Sequence, residues 1–392
     1  MKPLARKGLR NALLSLLGLL LLLSAGLSLV LGSQAGSRWL LEQVPGLRVD
    51  GFSGTLGGAW RAEQLHWQQD ANSVRVDSPS LAWSPAEEPG REIKRLIYIL
   101  VFLMAFPLLA QLGLARIRQL LLLGSGLLAF AALVSIINFY GLQGKSLLAR
   151  LAGIGEISHP ILGAYVVGAA ALFLLYEPPQ KRGMQLLWLA ALACLGAFAV
   201  LSQSRGAILA LVITVVMAPL WFRDRHSRVF SILAVIATGA AFIVMYDLIA
   251  KRGSSYRPEI FNAVVDMIAA HPWTGLGLGA GYDVSAVGKH FDHTHNMFTH
   301  VAVEMGLPGM LLWVTVWLYT LGEIVRARAT LFGKVLLCFW VYSTLAMQFD
   351  AASLTGTPRA EWFISWLPVG LAMLLPWGRA ENEACGKISG ST

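Results

Sequence analysis

Long apolar runs separated by short, mostly basic connections dominate the chain from residue 96 onward. They cover about 96–114, 119–141, 157–176, 184–203, 206–222, 229–249, 297–321, 334–350 and 361–378. A further run, Asn11 to Leu31, follows Lys2, Arg6, Lys7 and Arg10. Roughly 18–22 apolar residues cross a bilayer core of about 30 Å as a helix. The pattern predicts an all-α polytopic membrane protein with about ten transmembrane helices. The basic start, the length of the first run and the lack of a small-x-small cleavage site predict an uncleaved signal anchor over 1–32, N-terminus in the cytoplasm.

Residues 33–91 have another texture. Leu47-Arg48-Val49-Asp50 and Val74-Arg75-Val76-Asp77 alternate apolar and polar positions, and Gly51, Gly54, Gly57 and Gly58 punctuate them. Alternation with glycine breaks predicts short strands, hence a small periplasmic β-rich segment. Trp39, Trp60, Trp67 and Trp83 are candidates to cover one face, but so few aliphatic residues make a thin core. The polar stretch 379–392 is expected to be a disordered cytoplasmic tail.

Composition agrees with the pattern. The 392 residues are 56% hydrophobic and 14% charged, too apolar for a soluble globular protein. The net charge of +9 fits basic loops that set topology and touch membrane lipids, and no basic–aromatic patch suggests nucleic acid. Arg116–Arg118, Lys181–Arg182, Arg223–Arg228 and Arg326–Lys334 all fall on the side of the N-terminus if spans alternate. Arg91, Lys94 and Arg95 are the exception. Cys194, Cys338 and Cys385 form no pairing pattern, so no disulfide or thiol chemistry is expected.

The same topology places Lys145, Arg150, Arg205 and a long loop, about 250–296, on the outer face. The stretch from Lys251 to Gly309 holds five of the eight histidines and glycines at 275, 277, 279 and 281. Basic residues are scarce in short outer loops, so Arg205, Lys251, Arg252, Arg257 and Lys289 there suggest an anionic ligand; guanidinium binds phosphate oxygens through a planar fork. Contact with lipid headgroups is the plainer explanation for Lys251 and Arg252 at a helix end. The glycine series suits tight turns near a substrate and lacks the βαβ setting of a dinucleotide fingerprint. Gly144-Lys145-Ser146 is not a nucleotide loop, because Phe139 stands where its first glycine belongs.

Two resemblances follow from particular words. The segments 39–47 (WLLEQVPGL), 51–60 (GFSGTLGGAW) and 81–85 (LAWSP) resemble the extreme N-terminus of the inner-membrane subunit of the translocation and assembly module, a periplasmic β-solenoid protein. That likeness ends near residue 85, and the solenoid does not follow; a junction near Ala86-Glu87-Glu88-Pro89-Gly90 is expected to mark a fusion.

The second resemblance covers about 92–378. Arg205-Gly206-Ala207-Ile208-Leu209 has the Arg-x-x-x-Leu form of the O-antigen ligase and polymerase superfamily. His295-Asn296, nine residues, then Gly306-Leu307-Pro308-Gly309 has its His-Asn-x9-Gly-x-x-Gly form. Arg257 sits where the family's long periplasmic loop carries another arginine. The resemblance implies metal-independent, inverting glycan transfer from a polyprenyl diphosphate to an acceptor hydroxyl such as lipid A–core, at the periplasmic face of the bacterial inner membrane and without a cofactor. It implies His295 as base, with Arg205 and Arg257 on the diphosphate. The anchor and the β-like segment stand where the resemblance implies the family's first helices.

The residue types fit that chemistry independently. A neutral imidazole is a suitable base near pH 7, and fixed guanidinium groups stabilise a leaving diphosphate. Asn296 stands at a capping position and is as well explained by that alone. His293 and His295 beside Asp292 have the look of a metal site or of an ordinary polar loop end; the resemblance argues against metal. His300 and Glu304, four apart on one helix face, read first as a structural pair and second as part of an acceptor pocket. Two other classes compete with the enzyme. One is a non-enzymatic envelope-assembly factor defined by residues 1–85. The other is a polyprenol or anion transporter using the same arginines for binding.

Overall fold

The computed structural model describes Gly26 and residues 29–69, 72–81, 89–252, 256–350 and 353–376. Most of the anchor expected at 1–32, the junction at 86–88 and the tail at 379–392 lie outside the described residues, so the full count of ten spans is not met among them. The chain divides into two units, 1–87 with 276–280, and 88–275 with 281–392.

The first unit is small and β-rich, as the alternation predicts. Helix α1 (Gln34–Glu42) is capped by Ser33 and precedes β1 (Leu47–Asp50), β2 (Ser53–Gly54), β3 (Trp60–Arg61), β4 (Gln64–Gln69), β5 (Asn72–Asp77) and β6 (Ser80–Leu81). They form two three-stranded antiparallel sheets, ordered β1-β4-β5 and β2-β3-β6. Among the described residues of its N-terminal part only Phe52, Ala62 and Ser37 are buried. Of the four tryptophans, Trp83 lies outside the described residues, Trp39 is exposed, and Trp60 packs against Phe52 with ring centroids 5.9 Å apart. A strand of four to six residues offers two or three inward positions, too few for a deep core.

In the second unit, each of the nine apolar runs after residue 91 contains a helix. These are α2 (Pro89–Ala110), α3 (Leu114–Ile136, extended by a π-turn at Ile137–Leu142), α4 (Pro160–Leu175), α5 (Arg182–Leu201), α6 (Arg205–Met217), α7 (Pro219–Phe222), α8 (Arg225–Arg252), α10 (Met297–Arg326), α11 (Leu331–Ala346) and α12 (Trp366–Ala372). The fifth run carries both α6 and α7. Among the described residues, five helical stretches are long and apolar enough to cross a membrane: Gly90–Ala110, Leu114–Leu142, Arg182–Leu201, Arg205–Phe222 and Met297–Arg326. Two apolar helices are shorter than the sequence predicts, α4 and α11, each 16 residues. At 1.5 Å per residue they reach about 24 Å.

Both shortenings have local causes. Helix α4 begins at Pro160, with His159 as its cap, so the first residues of the expected run belong to the preceding connection. Helix α11 stops at Ala346, and residues 347–350 turn away to carry Asp350 to the site described below. The last run is broken into a 3₁₀ turn (Ala360–Phe363) and α12, because Pro368 has no N–H to donate back to residue 364.

Helix α4 is the axis of the unit. Gly163 to Leu175 are all buried, as expected of a helix that is apolar all round. Tyr342 of α11 donates its hydroxyl to the Tyr165 carbonyl at 3.0 Å. Gly168 makes this possible, since a Cβ there would collide with the Tyr342 hydroxyl. At the opposite end of the bundle, Arg118 forks onto the Glu177 carboxylate at 2.9 and 3.1 Å.

The long outer loop is not a plain loop. It contains helix α9 (Arg257–Ala270) and a hairpin of β7 (Val284–Ala286) and β8 (Lys289–Phe291). The hairpin turns through Val287 and Gly288, both at positive φ, the conformation two-residue hairpin loops require.

Candidate active site

Helix α10 starts from a polar knot. Asn296 caps it, its side-chain oxygen accepting from the N–H groups of Phe298 (2.9 Å) and Thr299 (3.2 Å). Its amide also donates to Gln348 at 2.8 Å, and the Met297 N–H donates to the Met347 carbonyl at 2.9 Å. These bonds tie the start of α10 to the turn after α11. The side chain of Asn296 is thus fully occupied with positioning.

That tie brings Asp350 under two histidines. His295 Nδ1 lies 3.0 Å from Asp350 Oδ1, and His293 Nε2 lies 3.2 Å from the same oxygen. The two imidazoles stand with ring centroids 3.9 Å apart. The other nitrogen of His293 faces Asp292 at 2.7 Å. His295 itself has φ of 56°, a left-handed backbone unusual for a non-glycine residue and a form of local strain common at functional sites.

The electrostatics follow from this sharing. Burial alone would push the Asp350 carboxyl up, but hydrogen bonds and charge from His293 and His295 hold it well below the usual carboxylate range. Burial likewise disfavours a charged His293, yet the hydrogen bonds and charges of Asp350 and Asp292 together raise it above the ordinary imidazole value. With Nδ1–H of His295 donated to an ionised carboxylate, Nε2 carries the lone pair.

Arg205 and Arg257 converge on the same end of the bundle. Arg205 opens α6, and its neighbour Gly206 is wedged beside the knot. A Cβ at Gly206 would lie 2.7 Å from the Phe349 side chain and 2.8 Å from the Tyr165 hydroxyl. Phe349 adjoins Asp350 in the chain. Arg257 opens α9 directly after Tyr256, whose φ is 60°. The Tyr165 hydroxyl lies within electrostatic reach of both Arg257 and Asp350. One guanidinium nitrogen of Arg257, Nη1, is buried without a hydrogen-bond partner, and so is the Tyr165 hydroxyl. A buried N–H left unpaired is costly, and an anionic oxygen would satisfy it.

The remaining candidates divide. His300 and Glu304 do share a face, with Nε2 and Oε2 3.4 Å apart, but the contact is too poorly directed for a hydrogen bond. His300 Nδ1 is instead 2.6 Å from the Tyr282 hydroxyl, which sits within reach of the Thr294 backbone amide. This buried chain props the loop that carries His293 and His295. The backbone of Lys251 lies in the last turn of α8, and its side chain is outside the described residues. Gly275 serves packing against protein: a Cβ there would press on the Glu304 backbone at 2.5 Å.

For a metal, the sequence pairs the histidines with Asp292. The structure replaces it: the atoms of His293, His295 and Asp350 lie within 4.8 Å of one another, and Asp292 stands behind His293. Asp350 and Tyr165 are the site residues sequence reasoning missed. The only signal for Asp350 was a carboxylate at the outer end of an apolar run.

Comparison with known proteins gives the same picture. Residues 189–314 match the family described as O-antigen ligase. That range includes Arg205, Arg257, His293 and His295, while Asp350 falls beyond it. A curated protein from Pseudomonas aeruginosa named "O-antigen ligase" is 27% identical over 303 residues, covering 76% of this chain and 74% of that protein. The motifs, the matched range and the extent of the relative's alignment all make this chain similar to the O-antigen ligase superfamily.

Proposed function

We propose that the protein is a membrane glycosyltransferase that moves a glycan from a polyprenyl diphosphate to an acceptor hydroxyl, such as one on lipid A–core, at the periplasmic face of the inner membrane. Similarity to O-antigen ligases supports glycan transfer in lipopolysaccharide assembly. The observation that carries the finer reading is the His295–Asp350 pair set beside the buried, unpartnered Arg257 nitrogen.

In this mechanism His295 Nε2 takes the proton of the acceptor hydroxyl as its oxygen attacks the anomeric carbon. The bond from that carbon to the diphosphate oxygen breaks, and the diphosphate leaves carrying the electron pair. Arg205 and Arg257 hold its growing charge. Asp350 keeps His295 in the required tautomer and stabilises the imidazolium that forms, the role a carboxylate plays behind a catalytic histidine generally. Attack opposite the leaving group inverts the anomeric centre. No metal takes part in these steps, and the carrier's diphosphate bond supplies the driving force.

The test is transfer from a purified lipid-linked glycan to lipid A–core in detergent or liposomes. H295A is expected to lower the rate by about 10²–10⁴-fold while donor binding and size-exclusion behaviour are kept. Transfer by H295A at the wild-type rate would rule out the assignment. Donor binding without transfer by the wild-type chain would favour a transporter.

A further inference from the structure

His293 has a hydrogen-bonding problem that neutral imidazole cannot solve. Its Nδ1 faces Asp292 at 2.7 Å and its Nε2 faces Asp350 at 3.2 Å. Both neighbours are carboxylates, and a neutral ring has one N–H to give. The second nitrogen must carry either another proton or a cation. Asp350 Oδ1 is also the partner of His295 Nδ1, so three potential ligand atoms lie within 4.8 Å of one another.

We propose that His293 Nε2, His295 Nδ1 and Asp350 Oδ1 form a site for a borderline divalent cation of the Zn²⁺ class, and that its occupation switches transfer off. Four features fit that ion. Two imidazoles and a carboxylate are ligands zinc accepts, with a fourth position left open. Bonds of about 2.0–2.1 Å in a tetrahedral site put ligand atoms about 3.3 Å apart. The two His–Asp separations, 3.0 and 3.2 Å, need only a small expansion. The Asp292 carboxylate behind His293 Nδ1 completes a carboxylate–histidine–metal arrangement, which fixes the tautomer that leaves Nε2 as ligand. Asp350 is buried and Asp292 exposed, so the inner ligand is sheltered while the site keeps an outward rim.

The inhibitory half rests on His295 acting as base. A cation on Nδ1 of His295 displaces its proton and takes Asp350 from it. The ring can then no longer pass positive charge to Asp350, and its Nε2 becomes a poor base. The binding half stands without that reading.

The experiment uses the full chain purified in detergent and stripped with EDTA, then titrated with ZnCl₂. Bound zinc is measured by elemental analysis, and titration calorimetry gives the affinity. Wild type is expected to hold one more zinc per chain than H293A. D292N, which alters only the exposed rear carboxylate, is expected to weaken affinity by on the order of 10–100-fold. Equal zinc uptake by wild type and by the H293A/H295A double variant, both monodisperse on size exclusion, overturns the site. In the transfer assay, stripped wild type is expected to remain active, to lose activity in step with zinc occupancy and to regain it with chelator. Activity that disappears on stripping and returns with zinc overturns the inhibitory role, as does zinc binding that leaves the rate unchanged. If the wild-type chain transfers nothing under any condition, the glycosyltransferase reading and the inhibitory role fail together, and the zinc titration still decides the site.

Discussion

At the scale of single residues, Asp350 is the pivot. It touches both histidines, and its carboxylate is held ionised by them. D350N keeps the shape and removes the charge. It should lower kcat by about 10²–10⁴-fold, because the imidazolium formed at His295 loses its counter-charge, with donor KM nearly unchanged. Arg257 should behave the opposite way. Lysine offers a point charge in place of a fork, so R257K should raise donor KM by about 10-fold or more and affect kcat less; steady-state kinetics separate the two. His295, Arg205 and Arg257 were singled out from the sequence because they fall in or beside the motifs that carry the family resemblance. Asp350 was not, because its meaning comes from a turn 55 residues away from His295. His159 offers a third test. Its Nδ1 accepts the Leu162 N–H at 3.2 Å as the cap of α4, which a protonated ring cannot do. Burial lowers its pKa below the ordinary value, against an opposing pull from Asp350. The folded state therefore binds fewer protons than the unfolded one just below pH 6.5, and this contribution to stability is lost as pH falls through the lowered value. H159N keeps a capping oxygen without the titration. The difference in melting temperature between wild type and H159N should shift against wild type on acidification from pH 7.

Elements were read well where periodicity is simple and poorly where backbone conformation decides. Every apolar run after residue 91 contains a helix, but the bend in α10 was invisible. Gly306 has φ 68° and ψ −176°, a region essentially closed to other residues. The bend frees the Leu307 N–H, which donates to the Pro272 carbonyl at 2.8 Å. It also lets the strap at 272–275 lie against the helix backbone. A Cβ at Gly306 would come within 2.6 Å of the Trp273 backbone, and one at Gly309 would collide with the Met305 side chain. The Gly-x-x-Gly word is thus a structural device: it aims the first turns of α10, with His300 and Glu304, at the polar end. From sequence, Gly-Leu-Pro-Gly counts as part of the family motif within one uninterrupted apolar run, and propensity alone cannot report its φ. G306A should cost about 1–3 kcal/mol from the backbone alone, with more from the collision, seen as a lower melting temperature in detergent. The hairpin at 284–291 escaped notice for a related reason. Three-residue strands are too short to show a period, and Val287 gives no hint of its positive φ.

Across the helical unit as a whole, the connections sort into two ends, and the sorting can be checked bond by bond. Arg150 donates to the Ser202 carbonyl at 2.8 Å, joining the connection after α3 to the one after α5. Gly206 abuts Phe349, joining the start of α6 to the turn after α11. Asp350 binds His295, joining that turn to the long outer loop. Four connections therefore meet at one end, and two of them supply His293, His295 and Asp350. The other end holds Arg118 with Glu177, Arg326 with Glu323, and the basic stretches at 181–182 and 223–228. An excess of Lys and Arg marks the cytoplasmic side, so the site end should face the periplasm. Sidedness is tested in a chain whose Cys194, Cys338 and Cys385 are replaced by serine. Asp283 and Lys181 are exposed positions at opposite ends, and neither makes a side-chain bond among those described. In spheroplasts, D283C should react with a membrane-impermeant maleimide and K181C should react only after lysis. The reverse pattern, or equal labelling, would place the histidines on the wrong side for a carrier-linked glycan, and no rearrangement of the local site would restore the proposed reaction.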